Sequence, residues 1–192
     1  PNLKNLSIAC ENVGKYIIIV ILIIKHLIKE VRHIGIVVSD MEKSIQFYRD
    51  LLGLKIVRDM NEKGEYIDNM LSLDRVHVHT VKLSAAQGDT LIELLNFKSH
   101  KDNQHRNFYT IGASHVAFTV NNIEELYKTL SKSNIKFNTP PQKSPDGLVK
   151  VTFCNDPDGT PVELVQVLDP SVIEKTKNWE IEKFSKILNV YQ

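Results

Sequence analysis

Short runs of β-branched apolar residues alternate along the chain with segments whose apolar residues recur at steps of three and four. The first run, 32–38, predicts a strand. Ser39-Asp40-Met41-Glu42 follows and has the form of a capping box, in which Ser39 satisfies a free amide and Glu42 reaches back. The helical spacing then continues up to Gly53, which is suited to a left-handed stop. These features predict a strand followed by an amphipathic helix.

Behind this helix the period-two pattern predicts three further strands, at 54–58, 76–83 and 90–97. A turn at Gln87-Gly88-Asp89 joins the last two of them. The stretch 61–74 is polar and irregular, and it predicts a loop. The order over 32–97 is therefore strand, helix and three strands, a βαβββ module.

The same order returns after the hydrophilic linker 98–109. A strand, a helix, a short strand and a hairpin are predicted, at 113–120, 121–133, 135–137, and 149–155 with 162–167. Asp156-Pro157-Asp158-Gly159 closes the hairpin, because proline presets one dihedral angle and glycine permits a positive one. The predicted fold class is α+β: one domain, 32–168, built from two βαβββ modules, 32–97 and 112–168.

The two modules also share residues that carry chemistry. The stretch His33-Ile-Gly-Ile-Val-Val recurs 82 positions later as His115-Val-Ala-Phe-Thr-Val. Later in each module a carboxylate interrupts an apolar strand, as Leu91-Ile-Glu93-Leu-Leu and Pro161-Val-Glu163-Leu-Val. Equivalent strands thus deliver two histidines and two glutamates, which suggests a pseudosymmetric metal site.

Composition and charge limit the classes of molecule that the protein is expected to bind. The 192 residues carry a formal net charge of +1 with no basic block, which gives no support to nucleic-acid binding and leaves small molecules open. The two cysteines, Cys10 and Cys154, fit no spacing for zinc or redox dithiols, so a reducing, cytoplasmic setting is the expectation. Cys154 itself is expected to be a buried, inert thiol.

Both ends of the chain lie outside the repeat. The apolar run Tyr16–Ile24 lies in an extension, 1–31, and is too short to cross a bilayer, which takes about 20 residues. We expect it to pack on the domain or on a partner, or to be an extension with little order, rather than to act as a secretory signal or a membrane anchor. The tail 169–192 has helical apolar spacing, and we expect an amphipathic helix that packs on the domain or on a second subunit.

These motifs resemble the vicinal oxygen chelate superfamily. The resemblance covers about 32–168 and rests on the opening and closing motifs of the modules: His33-Ile-Gly-Ile-Val-Val, Phe47-Tyr48, Leu52-Gly53-Leu54, Asp156-Pro157-Asp158-Gly159 and Glu163-Leu164. It implies two half-barrels that line a cleft around one divalent metal. Members of the superfamily include glyoxalase I, methylmalonyl-CoA epimerase, extradiol dioxygenases and fosfomycin-resistance enzymes, so the fold alone does not fix the reaction.

The resemblance also implies a ligand set of His33, Glu93, His115 and Glu163. This quartet matches the His, Glu, His, Glu order of bacterial-type glyoxalase I, whereas dioxygenases use three ligands and epimerases usually place glutamine at the position of Glu93. Such a set suits Ni, Co, Mn, Fe or Zn. The implied reaction moves a proton next to a carbonyl through a metal-bound enediolate, with Glu163 as the main base and Glu93 as its partner on the opposite face.

One residue departs from the glyoxalase pattern. Glyoxalase I carries an arginine for the carboxylate of glutathione four residues after its first ligand, where this chain has Val37. The expected partner is therefore a thiol adduct or an acyl-CoA, with glutathione itself open. An epimerase of acyl-CoA and a non-catalytic binding protein of the bleomycin-resistance type are the alternatives. A homodimer is the expected assembly.

His77 and His79 form a further pair. Their spacing of two puts both side chains on one face of the predicted strand. They either line the substrate cleft or face solvent, and the irregular alternation beside them favours solvent.

Overall fold

A computed structural model describes residues 29–101, 108–109, 111–169 and 171. The first module contains β1 (His33–Val37), α1 (Met41–Ile45, continued by π-helical turns over Gln46–Leu51), β2 (Lys55–Lys63), α2 (Glu65–Leu71), β3 (His77–Ser84) and β4 (Leu91–Phe97). The second contains β5 (Val116–Thr119), α3 (Ile123–Lys132), β6 (Gln142–Lys143), β7 (Val149–Asn155) and β8 (Pro161–Val167). Most of the extension 1–31 and of the tail 169–192 lies outside the described residues.

Each module forms one four-stranded mixed sheet. The strand orders are β1-β4-β3-β2 and β5-β8-β7-β6, so the two sheets have the same topology. In each sheet the first strand runs parallel to the last, and the other neighbouring strands pair antiparallel. The predicted α+β fold with two repeated modules is confirmed.

The helices and both modules share one hydrophobic core. Ile36 and Leu94 of the first sheet belong to the same buried cluster as Val116 and Leu164 of the second, together with apolar residues of α1 and α3. Successive residues of a strand point to opposite faces, so the face that does not carry these core residues is left for other contacts. We call it the site face of each sheet, because it carries His33 and Glu93 in one module and Glu163 in the other.

The start of α1 differs from the predicted capping box. Asp40, rather than Ser39, caps the helix, because its side chain accepts a hydrogen bond from the Lys43 N–H at 3.2 Å. Ser39 donates instead to the Asp158 carboxylate, through its backbone N–H at 3.0 Å and through its hydroxyl group. The serine therefore connects the first module to the closing turn of the second.

The stretch 61–74 is not a loop, and this prediction was wrong. β2 continues to Lys63, which pairs with His77, and α2 follows after Gly64, whose φ of 102° suits glycine. β2 lies at the edge of its sheet among the described strands, and none of its nine residues is buried: six are exposed and three are half-buried. A strand with so little buried surface has no apolar period-two signal, which explains why its second half was missed.

In the second module the short strand is displaced along the chain. Phe137 makes only an isolated bridge to Cys154, and the strand that pairs with β7 is β6. β6 lies between the predicted short strand, 135–137, and the predicted hairpin, and it has only two residues. A strand this short is set by its hydrogen bonds to the neighbouring strand, which local sequence does not show.

No helix in the described part of the chain is long and apolar enough to cross a membrane. The run Tyr16–Ile24, whose role the sequence left open, falls outside those residues.

A buried hydrogen bond also ties the two modules together. The Tyr48 hydroxyl group donates to Asp156 Oδ2 at 3.0 Å, while the N–H groups of Asp158 and Thr160 donate to Asp156 Oδ1 at 3.0 and 2.7 Å. Burial raises the pKa of the Asp156 carboxyl group, against the opposing effect of these hydrogen bonds. Burial, and then the neighbouring Asp156, raise the pKa of the Tyr48 hydroxyl group. The closing turn is thus held by one buried acid.

The raised pKa of Asp156 predicts a pH dependence of stability. A carboxyl group whose pKa is higher in the fold than in the unfolded chain stabilises the fold below its unfolded pKa, and this contribution is lost as pH rises through the folded value. Tyr48→Phe removes a hydrogen bond that favours the ionised form. We expect this variant to have a free energy of unfolding about 1–2 kcal/mol lower at neutral pH. The pH range over which the stabilisation by Asp156 is lost should also become wider.

Urea unfolding between about pH 4 and pH 8 measures this effect, with Asp156→Asn as the control that cannot ionise. In that control the component of the loss that belongs to Asp156 should disappear. The same pH dependence in wild type and Asp156→Asn would contradict the assignment.

Candidate metal-binding site

The first module brings His33 and Glu93 into contact. Register between the parallel strands β1 and β4 pairs Gly35 with Glu93, so His33 and Glu93 share the site face. His33 Nε2 lies 2.9 Å from Glu93 Oε2, and the side chains are 34% and 12% exposed. Glu93 is therefore a buried, paired carboxylate and not a solvent-facing strand residue.

The second module repeats this arrangement. Glu163 on β8 pairs in register with Ala117, and His115 Nε2 lies 3.1 Å from Glu163 Oε2. Ser114 Oγ lies 2.7 Å from the other ring nitrogen of His115. Such a contact on the far nitrogen is typical of a histidine whose ring is oriented for metal binding. Both glutamates thus face a histidine Nε2 from equivalent positions of the two sheets.

The two glutamates differ in their cross-strand neighbours. Lys82 on β3 stands directly opposite Glu93, and its Nζ lies 2.9 Å from Glu93 Oε1. The equivalent position opposite Glu163 is Phe153 on β7. One carboxylate therefore contacts a cation and the other stands beside an aromatic ring.

Aromatic rings surround the second histidine. Phe108 stacks on the His115 ring, with ring centroids 5.6 Å apart and an interplanar angle of 9°. Phe153 meets the same ring edge to face at 5.5 Å and Phe108 at 5.4 Å. These contacts fix the His115 ring and make this half of the site apolar.

The spacing within each pair fits metal coordination. Two ligands at neighbouring corners of an octahedron, each about 2.1 Å from a metal, lie about 3.0 Å apart, which is close to both Nε2 to Oε2 distances. Two imidazoles and two carboxylates also form a suitable donor set for a divalent transition metal. Within the described residues, no three or more His, Cys, Asp or Glu side chains lie together as a metal site. The quartet predicted from the sequence is present as two pairs, and its joint role stays a prediction.

The other sequence candidates lie away from the pairs. His79 is separated from Lys82 by three strand positions and so belongs to the opposite face, where its Nε2 lies 2.7 Å from Asp59 Oδ1. His77 is exposed, as the favoured interpretation held. Cys154 is fully buried, and burial raises the pKa of its thiol to about 11, which confirms the inert thiol.

Sequence reasoning missed Lys82, Phe108 and Phe153. Lys82 and Phe153 occupy equivalent positions, but this equivalence depends on the register between strands and on hairpins of different length. The repeat does hold one local signal of the two pairs. Gly35 and Ala117, each two residues after a histidine, are small residues that stand opposite the two glutamates.

Paired βαβββ modules that each place one His–Glu pair on equivalent strands define a protein of the vicinal oxygen chelate type. The family model of the Glyoxalase/Bleomycin resistance protein/Dioxygenase superfamily matches residues 30–164, and the chain belongs to this superfamily. The resemblance drawn from the sequence is thus confirmed.

Individual relatives agree with this family. The chain is 32% identical over 143 residues to the uncharacterized protein YwkD of Bacillus subtilis, covering 73% of this chain and 98% of the relative. It is 32% identical over 146 residues to lactoylglutathione lyase of Schizosaccharomyces pombe, covering 71% of this chain and 47% of that enzyme. The crystal structure of a glyoxalase family protein from Bacillus cereus superposes with a TM-score of 0.65 at 22% identity, covering 74% of this chain and 97% of that one.

Proposed function

We propose that the protein is a divalent-metal-dependent lyase or isomerase that moves a proton between carbons next to a carbonyl group, as lactoylglutathione lyase does. The observation that carries the proposal is the repeated pair: His33 with Glu93 and His115 with Glu163, each with an Nε2 to carboxylate distance near 3 Å. The metal would be Ni, Co, Mn, Fe or Zn, the ions that this donor set suits. The similarity to a lactoylglutathione lyase supports the reaction class.

We also propose a homodimer. In it, the first pair of one chain, His33 with Glu93, meets the second pair of the other chain, His115 with Glu163. Each pair lies on its own sheet, and both histidine side chains remain about one-third exposed, at 34% and 32%, so the pairs open outward. Among the described strands, β1 lies at the edge of its sheet, with Val37 63% exposed on it and Val31 64% exposed just before it. An apolar edge of this kind favours pairing with a second chain. Closed two-fold symmetry would then create two equivalent four-ligand sites.

The chain's residues divide the chemistry among them. A metal bound here would supply Lewis acidity that polarises the substrate carbonyl group. The Glu163 carboxylate accepts the proton from the neighbouring carbon and can return it to the adjacent one. Phe108 and Phe153 present apolar rings on this side, and an apolar environment raises the proton affinity of a carboxylate.

The substrate class follows from the site and from position 37. Val37 is apolar and lies on the site face of β1, so it offers no charge for a carboxylate there. The proposed substrate is a thiol adduct of an oxoaldehyde or an acyl-CoA, either of which carries a carbon acid next to a carbonyl group.

Proton exchange with deuterated solvent tests the proposed reaction class. The protein loaded with Co²⁺, Ni²⁺ or Zn²⁺ is incubated with hemithioacetals of several thiols and with acyl-CoA thioesters, and deuterium is followed by NMR. We expect metal-dependent exchange into one class only, which separates a lyase from an epimerase. Exchange into neither class, or equal exchange without metal, would contradict the proposal.

A further inference from the structure

The two pseudosymmetric carboxylates are bound differently by the protein. Both oxygens of Glu93 are engaged, since Oε2 faces His33 Nε2 at 2.9 Å and Oε1 faces Lys82 Nζ at 2.9 Å. For Glu163 the one contact found within the described residues is His115 Nε2 at 3.1 Å. The side chain of its cross-strand neighbour, Phe153, has no group that can donate a hydrogen bond.

Lys82 is also held in place. Its side chain is only 16% exposed, and it emerges from a strand with paired neighbours on both sides. A half-buried ammonium group costs desolvation free energy unless it is paired, so it should remain on the Glu93 carboxylate rather than turn to solvent. It therefore restrains Glu93 at a defined rotation about the end of its side chain.

The geometry points to Lys82 as the positioning residue that limits Glu93 to a single metal-facing oxygen. This inference rests on the proposed metal site. Lys82 occupies Oε1, so only Oε2, the oxygen turned toward His33, would be left for a metal. Glu163 lacks such a clamp, so its carboxylate would be free to take the substrate proton. The lysine opposite Glu93 and the phenylalanine opposite Glu163 thus give the two glutamates separate roles. Glu93 serves as a metal ligand and does not share the proton transfer that the sequence led us to expect of it.

A second consequence concerns the strength of metal binding. The ammonium group of Lys82 is a positive charge one carboxylate away from the metal position, and like charges at such distances repel strongly in a partly buried site. Lys82 should therefore weaken metal binding while it fixes the ligand. Removal of its charge frees Glu93 Oε1 and removes the repulsion together.

Co²⁺ titration of the 192-residue chain tests the inference. We expect Lys82→Met, which keeps the length of the side chain without its charge, to bind Co²⁺ at least about tenfold more tightly than wild type. Its visible Co²⁺ absorption spectrum should also change, because a second carboxylate oxygen becomes free to coordinate. Lys82→Arg retains a cationic donor and should restore the affinity and spectrum of wild type. Lys82→Gln provides a second uncharged variant should the methionine variant fold poorly.

Lys150→Met is the matched control. Lys150 forms a part-buried ion pair of 2.8 Å with Glu124, and its β7 position lies on the face opposite to that of Phe153. Its loss should leave Co²⁺ affinity and spectrum unchanged. Wild-type affinity and spectrum in folded Lys82→Met and Lys82→Gln would overturn the inference while leaving the proposed function intact. Failure of the wild-type protein to bind Co²⁺ would overturn both.

Discussion

Glu163→Gln is expected to slow metal-dependent proton exchange about a thousandfold while the protein keeps its fold. The amide cannot accept a proton from carbon, and general base catalysis typically contributes about a hundredfold to ten-thousandfold to a rate. Glutamine has the same shape, and its carbonyl oxygen can still face His115, so we expect metal affinity to fall far less than activity. Exchange measured at saturating Co²⁺ separates the two effects.

His77→Ala is the control for this experiment, because His77 is exposed and lies outside both pairs. It should exchange protons at the wild-type rate. Glu93→Gln provides the internal comparison. If Lys82 confines Glu93 to metal ligation, this variant should lose metal affinity but keep proton exchange at saturating Co²⁺. A Glu163→Gln protein that retains more than about a tenth of wild-type exchange at full metal loading would contradict the role of Glu163 as the base.

Mixing two inactive variants is expected to restore metal binding if the site is shared between chains. One variant carries His33→Ala with Glu93→Gln, and the other carries His115→Ala with Glu163→Gln. Each variant alone lacks one of the two His–Glu pairs in every site. In a mixed dimer, the intact first pair of one chain meets the intact second pair of the other, while the second site is doubly impaired.

Random pairing makes about half of the dimers mixed, each with one complete site, so metal content should recover to about a quarter of the wild-type value. Co-expression with two different affinity tags isolates the mixed dimers, in which the value should rise to about half. Metal content that stays at the level of the separate variants would show that each site lies within one chain.

Sequence patterns predicted those parts of the fold that bury one face. β1, β4, β7 and β8 carry apolar residues in period two and were found within a few residues of their bounds. β2 and β6 were misjudged in extent or place, because neither strand has a buried residue and their positions depend on hydrogen bonds to the neighbouring strand. α2 was missed for a related reason, since it has no buried residue.

The candidate site also has parts that the sequence could predict and parts that it could not. The two His–Glu pairs could be predicted because the repeat places them at matching positions, and the structure brings both pairs into contact. Lys82 could not be predicted, because its importance lies in a contact across β3 and β4 that depends on register. Ser39 was assigned to the wrong partner, since a local cap competes with a distant carboxylate, Asp158, that only the fold brings near.

We propose that His33, Glu93, His115 and Glu163 bind one divalent metal, and elemental analysis of the purified protein tests this claim. Mass spectrometric metal analysis after equilibration with a divalent ion and removal of the excess should find about one ion per chain in wild type and in His77→Ala. His115→Ala should retain almost none. No stoichiometric divalent ion in the wild-type protein, or the same metal content in His115→Ala, would contradict the claim.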